Sequence, residues 1–145
     1  MEYKILVILH ILSAAIWVGG GLILSFAILP RVRKENNNSM LVEFIKAFYK
    51  IGFAALALQF LTGFRLAMGH LPISEWFLFN GKASELIALK LALLLLTFIL
   101  AFRARYFCLP EEGGKLTKIS VNIYLTTLIG ILLVLTGLSF RINIF

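Results

Sequence analysis

Four stretches of this chain are nearly free of charge, and its polar residues gather between them. The first, residues 5–29, holds one histidine, His10, and no charged side chain. Pro30 and the basic cluster Arg31, Arg33 and Lys34 mark its expected end, and Glu35 to Ser39 form a polar loop. The second expected span is 44–68, with Lys46 and Lys50 in its first turns and Arg65 near its close. Residues 70–83 carry Pro72, Trp76, Phe77, Phe79 and Gly81. Aromatic side chains favour the headgroup boundary, so this segment reads as a short interfacial helix or lid. The third span, 84–102, contains Lys90, and the fourth, 119–140, is uncharged and followed by Arg141. Pro110 and Gly113-Gly114 signal a turn between them. No stretch alternates with period two, which argues against a β-barrel. Each run approaches the roughly 20 residues a crossing needs. The pattern therefore predicts an all-α fold, a four-helix transmembrane bundle forming one integral membrane domain.

Composition agrees. Of the 145 residues 61% are hydrophobic and only 14% charged, against about 25% charged in soluble domains. Four spans leave no room for a soluble catalytic domain. The net charge of +7 does not indicate nucleic acid, because the basic residues flank apolar runs. In a membrane protein that pattern sets orientation and attracts anionic lipid. Nine lysines and arginines flank the first and third loops, and three (Lys4, Lys82, Arg141) lie on the opposite side. The expected topology is N-out/C-out in a bacterial inner (plasma) membrane. The first run is too long for a signal-peptide core and is read as a retained helix. Cys108 is the single cysteine, so an internal disulfide and a CxxC motif are both excluded.

Candidate chemistry lies within the apolar runs. Leu61-Thr62-Gly63 is followed by Arg65, and Leu135-Thr136-Gly137 by Arg141, while Leu9-His10 and Leu89-Lys90 open the first and third spans alike. Such a repeat would give two tandem helix pairs. At about 1.5 Å per residue, His10, Arg65 and Lys90 are each expected some 9 Å below the outer boundary. Intramembrane charge is costly and often functional. Snorkelling to the headgroups is the plain explanation for Arg65 and Lys90. The sharper one is an anionic ligand with an apolar body, such as haem b. His10 would ligate the iron, and Arg65 and Lys90 would hold the propionates. Ala14, Trp17 and Gly21 share His10's face, where small residues leave room for a flat cofactor or for a neighbouring helix. His70, Met68 or a second subunit could supply another axial ligand. Copper is the competing metal, since Met1, His10, Met68 and His70 share the outer side. No aspartate is present, Glu111-Glu112 reads as a solvated pair, and Gly19-Gly20-Gly21 lies inside a helix rather than a phosphate loop. Hydrolytic chemistry is not expected.

The first helix, Leu9-His10-Ile11-Leu12-Ser13-Ala14-Ala15-Ile16-Trp17-Val18-Gly19-Gly20 and then Leu29-Pro30, resembles the opening helix of the copper-resistance protein D (CopD) family. It also resembles that of the related HemJ family, membrane proteins that oxidise protoporphyrinogen. Leu61-Thr62-Gly63 and Leu89-Lys90-Leu91 are further points of likeness. The CopD resemblance implies copper uptake across the inner membrane. The HemJ resemblance implies haem b at a first-helix histidine, matched by His10, and a lysine early in the third helix, matched by Lys90.

The favoured expectation is a haem b-binding membrane protein with a redox or electron-transfer role near the outer face. A homodimer and a redox partner or quinone are expected with it. The alternatives are a CopD-type copper transport protein, a HemJ-like protoporphyrinogen oxidase, and a non-catalytic subunit of a membrane complex.

Overall fold

The computed structural model describes residues 1–107 and 115–142, except for the side chains of Phe107, Arg141 and Ile142. Cys108, Pro110, Glu111-Glu112 and Gly113-Gly114 lie outside the described residues. Four helices dominate: α1, Glu2–Glu35; α2, Ser39–His70; α3, Lys82–Phe107; and α4, Leu116–Ile142. All four are long and apolar enough to cross a membrane. Their outward surface carries many large apolar side chains, Ile11, Phe26, Leu95 and Leu128 among them, as a lipid-facing surface requires.

Each helix outruns its expected span. Hydropathy marks the part suited to hydrocarbon, whereas a helix continues through polar flanks until a cap or breaker ends it. Pro30 is the clearest correction, because α1 does not stop there. Leu24–Ile28 widens into a π-turn, with the Leu29 N–H reaching the Leu24 carbonyl. Proline lacks an N–H and crowds the preceding turn, and the looser turn admits it. Asn36 ends α1 instead, in the left-handed conformation at φ 50°.

The chain packs chiefly as two pairs, α1 with α2 and α3 with α4, and α1 also leans on α4. Between helices in lipid, close fit and hydrogen bonds replace the hydrophobic drive. The fit is visible around Phe48, whose ring fills a slot between two glycines. A Cβ on Gly20 would stand 2.3 Å from that ring, and one on Gly52 would stand 2.6 Å from it. Interhelical polar contacts add Ser25–Thr127 at 2.9 Å and Asn122 Nδ2 donating to the Leu100 carbonyl at 3.2 Å. α2 and α3 meet through aromatic rings, with Phe98 set edge-on to Phe53 at 6.0 Å and to Phe60 at 6.4 Å.

The two ends of the bundle differ. At the end with the Asn36 turn, an apolar core forms from Leu24, Ile28, Leu29, Val32, Leu41 and Ile45, with Ile119 and Ile123. At the other end the α2–α3 connection contains one 3-10 turn, Ile73–Glu75. Trp76 pins it: the ring is 2% exposed, its Nε1 donates to the Leu71 carbonyl at 2.9 Å, and it meets Phe64 edge-on at 5.1 Å.

Candidate functional site

The polar side chains of interest gather at the Trp76 end. His10 lies on α1 and turns toward α2. Its Nδ1 is 2.8 Å from Thr62 Oγ1, and its Nε2 is 3.0 Å from Gln59 Nε2. Gln59 and Thr62 are three residues apart, hence on one face of α2. Ser13, one turn beyond His10, donates to Gln59 Oε1 at 2.6 Å and has the His10 carbonyl at 3.0 Å as a second acceptor. Thr62 donates to the Leu58 carbonyl at 2.6 Å.

One arrangement of the ring satisfies all of these contacts. With Ser13 donating to its oxygen, the Gln59 amide presents N–H to His10 Nε2. That nitrogen is then the acceptor, so Nδ1 carries the hydrogen and donates to Thr62. The chain runs from Ser13 through Gln59, His10 and Thr62 to a backbone carbonyl. Among the described residues, no buried side-chain nitrogen or oxygen lacks a partner. Gly63 makes the approach possible, since a Cβ there would stand 3.0 Å from His10 Cε1.

Lys90 occupies the corresponding place in the second pair. A Cβ on Gly137 of α4 would stand 3.3 Å from its Nζ. The ammonium lies over the Phe140 ring, 5.3 Å from the centroid, a cation–π contact. Among the described residues no carboxylate pairs with Lys90.

The remaining expected site residues fall elsewhere. Arg65 does not join His10 and Lys90. It points to the start of α1 and pairs with Glu2 at 3.1 Å, both side chains more than half exposed. The expected layer of three basic groups is thereby reduced to two, because Arg65 lies closer to the helix end than Thr62, and a long side chain reaches outward from there. His70 stacks on Phe140 at 5.3 Å, so it adjoins the ring that Lys90 covers; both His10 nitrogens are engaged by α2. Met68 is exposed. Ala14 is half-buried. Trp17 packs against Phe48 at 6.4 Å and, with Val18, Gly52, Asn122 and Thr126, lines a cavity of about 100 Å³. That cavity starts about two turns along α1 from His10 and is smaller than the few hundred Å³ that drug-sized ligands occupy. Of the three first-helix glycines, Gly20 faces Phe48 and Gly21 faces Thr127, and only Gly19 has open space where a Cβ would stand.

Gln59 and Ser13 were not among the residues expected from sequence. The signal was present: Gln59 is the one carboxamide in the second apolar run, three residues before the Thr62-Gly63 step. Glu2 was missed because it precedes the first apolar run, and only the helix register brings it to Arg65.

Fold and site together define a small all-α protein with four candidate membrane-spanning helices and, half-buried at one end of the bundle, an imidazole and a lysine that has no carboxylate partner among the described residues. Comparison with family models, with curated proteins and with solved structures finds no match to this chain.

Proposed function

We propose that this protein binds haem b at His10 and serves a redox or electron-transfer role near the outer face of a bacterial inner membrane. The observation that carries the reading is the placement of two groups at one end of the bundle: the His10 imidazole on α1 and the Lys90 amine on α3, both half-buried, with no carboxylate paired to Lys90 among the described residues. Intramembrane charge in such a position is usually functional. An apolar macrocycle with carboxylate edges suits that donor set. The nine-to-three lysine and arginine bias supports both chain ends outside, which puts His10 and Lys90 in the outer half.

The residues fit the group in their chemistry. His10 Nε2 is the ligating atom, Thr62 holds Nδ1–H and so sets the tautomer and ring orientation, and Lys90 balances a propionate. Arg65, held by Glu2 at an exposed site, is left out of the propionate contacts. The void beside Trp17 is not assigned to the macrocycle. A bound haem b supplies one-electron redox chemistry, and the apolar helices around His10 keep water from that nitrogen. His70 remains the proposed second ligand only through a rearrangement at Phe140, or by donation from a second copy. A homodimer through the Gly19 face belongs to the same proposal, as does a redox partner or quinone in the membrane.

The test is an absorption spectrum of the detergent-purified protein, oxidised and dithionite-reduced, for wild type and His10→Ala. The expected result is a Soret band with reduced α/β bands that disappears in the variant. Wild type that stays colourless after haemin addition would sink the cytochrome reading and turn attention to copper.

A further inference from the structure

His10 Nε2, the nitrogen that the proposed function assigns to a ligand, already has a partner. The Gln59 amide donates to it at 3.0 Å, and Ser13 holds the other end of that amide at 2.6 Å. We propose that Gln59 is a lid on His10: its carboxamide covers the ligating lone pair, and the site opens only when Gln59 turns aside. This rests on the haem reading for the identity of the ligand, but the lid itself rests on the hydrogen-bond geometry.

Three features make Gln59 separable from the scaffold around it. The ring is positioned independently by Thr62 at Nδ1 and by the Gly63 step, so removing the amide leaves His10 in place. Ser13 has a second acceptor in the His10 carbonyl at 3.0 Å, so losing Gln59 does not strand its hydroxyl. Matching Thr62-Gly63 to Thr136-Gly137 also places Leu133 where Gln59 stands. The second helix pair therefore carries the same step with an apolar residue and no lid. An entering ligand must give up one hydrogen bond to His10 in the wild type and none in Gln59→Leu. A buried hydrogen bond of ordinary strength corresponds to about a tenfold difference in affinity. Gln59→Glu acts in the opposite sense. A carboxylate accepts a hydrogen bond and does not donate one, so it draws the ring hydrogen to Nε2 and closes that nitrogen to a metal.

The experiment uses the full chain in detergent and two readouts. The chain has only His10 and His70, so ¹⁵N-histidine spectra assigned with His10→Ala report the His10 tautomer directly. The expected wild-type ring carries hydrogen on Nδ1 and accepts at Nε2. Gln59→Leu should move the Nε2 resonance toward that of a free acceptor, and Gln59→Glu should switch the hydrogen to Nε2. Haemin titration, followed at the Soret band, should then give about tenfold tighter binding for Gln59→Leu and little or none for Gln59→Glu. An unchanged Nε2 resonance in Gln59→Leu overturns the lid, as does haemin binding that is equal to or weaker than wild type with the fold intact. If the resonances move as expected while neither wild type nor Gln59→Leu binds haemin, the Gln59–His10 hydrogen bond stands but the lid falls together with the haem reading; haemin binding of equal strength in both overturns the lid alone.

Discussion

The α1–α2 pair and the α3–α4 pair solve one packing problem and treat a polar side chain in opposite ways. In each, a Thr-Gly step late in the second helix lets the other helix bring a polar group close. Thr62 and Thr136 are each 3% exposed, and each hydroxyl bonds back to its own helix, at Leu58 and Leu132. Gly63 receives the His10 ring and Gly137 the Lys90 ammonium. In the first pair Gln59, Thr62 and Ser13 then satisfy the guest and its partners. In the second pair, among the described residues, Thr136 bonds only to carbonyls of its own helix, and Lys90 meets the face of Phe140. One scaffold thus holds, at the same end, an imidazole hydrogen-bonded at both nitrogens and a lysine that meets an aromatic ring.

The comparison breaks most readily at the threonines. Thr62→Val removes the acceptor of His10 Nδ1–H and leaves a half-buried donor unpaired, which costs about 1–3 kcal/mol. Thr136→Val removes a hydroxyl that bonds only to its own backbone, and its effect should stay within about 0.5 kcal/mol. Reversible unfolding in detergent micelles measures both. Equal losses at the two positions would mean that Thr62 acts in packing and not as the acceptor of His10.

The glycines give a smaller contrast with a difference in sign. Gly63→Ala puts a methyl 3.0 Å from His10 Cε1, against a ring held at both nitrogens. Overpacking of this kind costs about 1–3 kcal/mol. At Gly137 the nearest atom is the end of a flexible lysine at 3.3 Å, which can move. Gly137→Ala should therefore be neutral or stabilising by up to about 1 kcal/mol through helix propensity. The same unfolding assay decides, and destabilisation of both to the same degree would show that Lys90 is held as firmly as His10.

Much of this asymmetry was open to a reading of the chain, and its limits have physical causes. Apolar runs report what suits hydrocarbon, so four helices were legible from them. His10 and Lys90 stood out because polar groups are rare there, and the Leu-Thr-Gly steps were visible as a repeat. Which side chain meets which depends on the register between helices. That is why Arg65 was grouped with His10 although it reaches Glu2 instead. Gln59 is inconspicuous in the sequence because a neutral amide carries no charge to mark it. Its importance comes from lying one turn before Thr62, on the face that His10 approaches. Pro30 misled because proline's usual effect assumes an unbroken α-helical hydrogen-bond ladder, and the Leu24–Ile28 π-turn had already altered the ladder before it.

The finest test of the two-pair comparison exchanges the residues that set the halves apart. Leu133→Gln places a carboxamide one turn before Thr136, the place Gln59 occupies relative to Thr62. If the pairs are equivalent in register, its oxygen meets the Lys90 ammonium. Interhelical polar contacts in membrane bundles contribute about 0.6 kcal/mol on average, so the expected gain in unfolding free energy is of that size. The same contact would compete with an anionic ligand edge and weaken haemin binding a few-fold, whereas Lys90→Met should abolish the gain entirely in the double variant. A Leu133→Gln protein whose stability is unaffected by the state of residue 90 would show that the Thr-Gly steps match in sequence but not in the geometry of the side chains they admit.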